Sequence, residues 1–162
     1  MTTYWQPIHE RGEKPVTKLL LSVHVLAAIL AIGPIAVAAS MFPRHTRTPS
    51  GADGGEGLRT AGVLHRICRG YTVVGIAVPV FGIATGARLG VLTDAWLLAS
   101  IVLTAAAAAL LALAILPGQQ RLLDSPDSSG AARLAMVTGV FNLLWAVVVV
   151  LMIVRPGSTT GA

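Results

Sequence analysis

The chain has 162 residues, 54% of them hydrophobic, and only 12 Lys or Arg and 7 Asp or Glu. A soluble domain normally carries about a quarter charged residues, so the composition disfavours a soluble enzyme. The formal net charge of +5 comes without an aromatic and basic platform for nucleic acid. It gathers instead where the helices are expected to leave a membrane.

The charges are segregated. None falls between Lys18 and Arg44, Arg69 and Arg88, Asp94 and Arg121, or Arg133 and Arg155, intervals of 25, 18, 26 and 21 residues. A helix needs roughly 17–25 apolar residues to cross a bilayer. The four intervals predict an all-α integral membrane protein, an antiparallel four-helix bundle. The runs do not alternate as barrel strands would. An even number of helices puts both termini on one side.

In chain order, residues 1–15 form a polar lead-in in which Tyr4 and Trp5 suit the interface. Helix one is expected over about 16–41, with Pro34 a kink. The apolar run 19–35 precedes Ala36-Val37-Ala38, a small-residue pattern like a signal cleavage site. The run exceeds a signal core of 7–15 residues, and Glu10 and Glu13 precede it, so a retained helix is expected. Residues 42–60, FPRHTRTPSGADGGEGLRT, read as a loop. Helix two is expected over about 61–87, with His65, Arg66, Cys68 and Arg69 in the headgroup zone. Helix three spans about 95–116, opened by Thr93-Asp94 and stopped by Pro117-Gly118. A second loop covers 118–132. Helix four spans about 133–154, and Pro156-Gly157 ends it. The transmembrane domain is thus 16–156, with a tail at 157–162. Cys68 is the single cysteine, so no intrachain disulfide and no Cys-x-x-Cys motif exist.

Small residues mark the expected packing faces. Helix two carries Gly75, Gly82 and Gly86 with Pro79 among them. Helix one offers Ala27, Ala28, Ala31 and Ala38 beside His24. Helix four offers Ala135, Gly139 and Ala146 around Asn142.

His24 is the sharpest polar feature, because an ionisable group inside a membrane is costly. It is a candidate haem or metal ligand or proton relay; alternatively it is a neutral ring bonded to a neighbouring hydroxyl or carbonyl. Ser100 is a candidate partner. Gly82 lies near the same depth and leaves room for a flat macrocycle or for a close helix. Met152 is a weaker candidate ligand. His65 is expected about 20 Å from His24 along the membrane normal, too far to share one haem. With Arg66 and Arg69 it is expected to grip lipid phosphates or a partner's carboxylate. Asn142, near Trp145, is expected to bond between helices, and Trp96 and Tyr71 to anchor the interface. No paired intramembrane carboxylates, nucleophile triad or phosphate loop is present, so no catalytic residue is assigned.

Three motifs, Lys18-x5-His24-Val-Leu-Ala-Ala-Ile, an arginine-rich segment leading to Gly82-x3-Gly86, and Leu116-Pro117-Gly118-Gln119-Gln120-Arg121, resemble an uncharacterised family of bacterial four-helix membrane proteins. That domain of unknown function is grouped with the membrane domain of copper-resistance protein D and the haem-containing membrane protoporphyrinogen oxidase. The resemblance implies haem b or copper at His24, the one oxidase residue that carries over. Ile32 and Gly33 stand where the oxidase has a helix-one tryptophan.

The expected function is that of a non-catalytic integral membrane protein, free-standing or an accessory subunit of a larger complex. A haem b or copper redox protein using His24 is the alternative, and a small transporter a further one. The expected location is the bacterial plasma membrane. The expected partners are the lipid bilayer and either complex subunits or further copies of the chain, not nucleic acid. Seven basic residues on the loop side against five on the terminal side place the termini outside.

Overall fold

The computed structural model describes residues 15–47 and 54–157. The lead-in residues 1–14 with Tyr4 and Trp5, residues 48–53 of the first loop, and the tail from 158 onward lie outside the described residues. Six α-helices make four spans: α1 (Pro15–His45), α2 (Gly54–Gly75) with α3 (Ala77–Leu89), α4 (Ala95–Leu110) with α5 (Leu116–Asp124), and α6 (Ser128–Val154). Each span is long and apolar enough to cross a membrane, and no strand occurs among the described residues. The protein is an all-α, multi-pass membrane bundle.

Side chains such as Leu113 (78% exposed) and Ile153 (75%) point outward. In water this would be an aggregation surface. In a bilayer it is the lipid-facing wall. The contiguous core sits in the half of the bundle away from the termini. There Ile35, Phe42, Leu64, Cys68, Ile115, Leu122, Leu134 and Phe141 pack together. Two antiparallel hairpins build it. α1 lies along α2 and α3, and α4 lies along α6. Lesser contacts between α1 and α6, α2 and α5, and α3 and α4 join the hairpins.

The helices run further than the turn residues imply. α1 continues through Pro43 to His45 because Phe42 (0% exposed) and Pro43 are buried. α2 begins at Gly54, so both ends of the expected loop 42–60 are helical. Gly57 allows this closure, since a Cβ there would fall 3.0 Å from the His45 carbonyl oxygen. The expected second helix is two, parted at Ile76. Pro79 has no N–H to give the Gly75 carbonyl, and the chain tightens, with Ile76 N bonded to Val73 O at 3.2 Å.

Pro117-Gly118 do not stop the third span. A π-helical turn, Leu111–Ile115, precedes them, and Pro117 falls in the first turn of α5, where a missing N–H costs nothing. The expected loop 118–132 therefore shrinks to residues 125–127. α6 starts at Ser128 rather than near Arg133, capped by Asp127. Its carboxylate accepts from Ser129 N (3.1 Å), Gly130 N (2.7 Å) and Ser129 Oγ (2.7 Å).

Asp94 sits at the N-cap position of α4, but its carboxylate is not the cap. It accepts from Trp96 Nε1 at 3.1 Å. Trp96 is buried rather than an interface anchor, and the Arg155 guanidinium lies 5.6 Å from its ring centroid. The small face of helix four is also turned about: Gly139 and Ala146 face outward, while Ala131, Leu134, Thr138, Phe141 and Val148 face inward.

The Asp127 cap has a pH signature. Hydrogen bonds from Ser129 and Gly130 hold its carboxyl below the usual 3.8. Its stabilising contribution is complete above that usual value and is lost as pH falls through the lower folded value. Thermal unfolding in detergent should show Asp127→Ala less stable than wild type at pH 6. The gap should close under strongly acidic conditions; a gap independent of pH would refute the assignment.

Candidate functional site

Three sets of polar side chains link one span to another, while hydroxyls such as those of Thr72 and Thr85 donate to carbonyls of their own helix. The first is His24. The first half of α1 contributes no buried residue before Ala31, so this half-buried ring is its main hold on the neighbouring span. His24 Nδ1 lies 2.9 Å from Val78 O on α3. A carbonyl only accepts, so Nδ1 carries the proton and donates. Gly82 makes the approach possible: a Cβ there would fall 2.9 Å from His24 Cε1 and 3.2 Å from Nδ1. Gly75 and Gly86 face inward as well, towards Ile35 and towards Leu92 and Leu97. Ser100 is not the partner of His24; it is buried on its own helix and donates to Trp96 O at 2.8 Å.

The second link joins three spans. His65 does not share the surface with Arg66 and Arg69, which are exposed. It is 8% exposed and turns into the bundle, where its Nδ1 donates to Gln119 Oε1 at 3.0 Å. Gln119 Nε2 donates onward to Cys68 Sγ at 3.5 Å, and the thiol donates to Ile35 O on α1 at 3.9 Å. Every donor in the series meets an acceptor.

The π-helical turn puts Gln119 within reach. At 100° per residue an unbroken α-helix would carry position 119 about 120° around from Ala107, out of the packed face. The wide turn absorbs about one residue, roughly 100°, and returns it to within about 20° of that face. Both residues are fully buried. Thirteen residues of α2 and α3 separate His65 from Val78, about 20 Å of helix, so the two histidines serve separate links.

The third link is Asn142, whose Nδ2 donates to Ser40 Oγ on α1 at 3.0 Å. Thr138 Oγ1, Asn142 Oδ1 and Trp145 Nε1 are buried and make no hydrogen bond within the described residues. They recur at i, i+4 and i+7 along α6. Trp145 meets Phe141 edge-on, with ring centroids 6.3 Å apart. Sequence reasoning gave Ser40, Thr138 and Gln119 no role. All three are polar residues within charge-free intervals, and Gln119 lies in the one that ends at Arg121. Reading it required the helix to continue past Pro117.

These residues do not fit the cofactors that the family resemblance implies. The space opened by Gly82 is filled by the imidazole itself, which leaves no room there for a macrocycle. Among the described residues no group of three His, Cys, Asp or Glu side chains comes together to hold a metal ion. Met152 is half-buried near the end of α6, where its carbonyl accepts from Arg155 Nε at 3.3 Å.

The close approach of His24 and Gly82 should appear as a coupling energy. Gly82→Ala should cost about 1–3 kcal/mol, as overpacking does, and Gly82→Leu should cost more. In a His24→Ala background the same Gly82→Ala change should be close to neutral. Thermal unfolding of the four proteins in one detergent closes the cycle, and strict additivity would show that the two residues do not touch.

No protein-family model matches the chain, and neither the curated proteins nor the solved structures include a match to it.

Proposed function

We propose that the chain is a non-catalytic, multi-pass protein of the bacterial plasma membrane and acts as an accessory subunit of a larger membrane complex. The observation that supports this most is the use made of its two intramembrane histidines. Each donates through Nδ1 to a neighbouring helix, to Val78 O and to Gln119 Oε1. That chemistry holds spans together rather than reacting with a substrate.

Association with a further helix has its own support. α6 turns Ala132, Gly139 and Ala146, spaced seven residues apart, to the outside. Small residues at that spacing permit close helix contact. Nothing lies within 4 Å of a Cβ placed on Gly139, so the isolated chain tolerates a larger side chain there.

The tagged chain, extracted under mild conditions at native abundance, should migrate as a complex larger than itself. Gly139→Leu should reduce that complex while leaving the melting temperature of the isolated chain unchanged. The purified chain should also lack a Soret band after expression with ample haem. A wild-type chain that always migrates alone, or one with a Soret band lost in His24→Ala, would overturn the reading.

The orientation that follows from the basic residues is loops inside and termini outside. Reporter fusions at residue 50 and at the C-terminus should then report inside and outside respectively. The opposite pair would reverse the orientation.

A further inference from the structure

One face of α2 carries an open apolar groove of about 300 Å³, lined by Val63, Arg66, Ile67, Gly70, Tyr71 and Val74. The spacing is helical, so the groove follows the helix axis. Its floor is Gly70, an exposed residue with nothing within 4 Å of an added Cβ. From the Arg66 level to Val74 it runs about 12 Å, most of the roughly 15 Å of hydrocarbon in one leaflet.

The groove lies at a basic level of the bundle. His65 and Cys68 of α2 contact Gln119 of α5, and a Cβ on Gly118 of α5 would fall 3.2 Å from Leu134 of α6. These contacts bring Arg66, Arg69, Arg121 and Arg133 to one level, and all four are exposed. None of the four forms an ion pair among the described residues; of the carboxylates near this level, Asp124 accepts from Gln120, and Asp127 from Ser129 and Gly130. A belt of uncompensated guanidinium groups beside an apolar groove that runs most of a leaflet's depth has the chemistry of an anionic phospholipid in reverse. Guanidinium groups bind phosphate in two-pronged geometry, and a groove without a side chain at its floor accepts an acyl chain.

We propose that the Gly70 groove of α2 binds an anionic glycerophospholipid, with its phosphate on Arg66 and Arg69 and one acyl chain laid against Gly70 between Ile67, Tyr71 and Val74. The site concerns the isolated chain and does not depend on the accessory-subunit reading.

The test is native mass spectrometry of the purified full chain with phosphatidylglycerol and phosphatidylcholine of identical acyl chains. Wild type should retain phosphatidylglycerol preferentially. Arg66→Gln and Arg69→Gln should each weaken that retention about fivefold, whereas Arg133→Gln, outside the groove, should do so less. Gly70→Leu should reduce retention of both lipids without lowering the melting temperature, because the added side chain meets no protein atom. Equal retention of the two lipids by wild type, or retention unchanged in the Arg66→Gln, Arg69→Gln double variant, overturns the proposal. So does a co-purifying membrane protein that Gly70→Leu releases while lipid selectivity stays as in wild type, since the groove would then hold a partner's helix.

Discussion

Hydrocarbon supplies no hydrogen-bond partner, and the links between the spans of this bundle are arranged around that fact. The hydrophobic effect cannot drive one apolar helix onto another in a medium as apolar as the helices themselves. Close packing and hydrogen bonds remain. Three links supply the hydrogen bonds: His24 to Val78 between α1 and α3, where apolar packing is thin; the His65, Gln119 and Cys68 series between α2, α5 and α1, within the core; and Asn142 to Ser40 between α6 and α1. The contact between α3 and α4, which has no such link, relies on Gly86 admitting Leu92 and Leu97.

The division of labour between the two halves follows. Away from the termini, Phe42, Ile115, Phe141 and their neighbours fill the interior, and the helices there extend into the expected loops. Towards the termini the packing is sparser, and one imidazole against one glycine positions the beginning of α1. A basic residue type at that point is tolerated because its single donor is directed at a backbone oxygen. The ring is thereby committed to one tautomer.

The four spans were legible from the spacing of charge alone, since a charge-free interval of about twenty residues has few other readings. The inward face of Gly75, Gly82 and Gly86 was legible too, because glycine inside a helix is costly unless something approaches closely. Helix ends were not. Glycine and proline signal termini in water, where a frayed turn is solvated, but a buried Phe42 and a capping Asp127 outweigh them here. His65 was misplaced for a related reason. Arg66 and Arg69 flank it in sequence, yet a helix turns about 100° per residue, and its neighbours share a depth without sharing a face. The outward turn of Gly139 and Ala146 was hidden because Ala131, Leu134 and Thr138 offer an equally plausible inner stripe.

The π-helical turn at Leu111–Ile115 makes the third span behave as two gears meshed through a slipped tooth. That turn already holds one residue more than an α-helix would, so deleting any one of its residues would let it close into ordinary α-helix and leave Gln119 within about 20° of the Ala107 face. A further residue inserted between Ala107 and Gln119 would instead carry α5 about 100° round against α4. Gln119 would then leave its partners while the span stayed apolar and long enough to cross the bilayer. The span is therefore tolerant of losing a residue at the turn and intolerant of gaining one, whereas the outer faces of α1 and α6 can vary freely in composition.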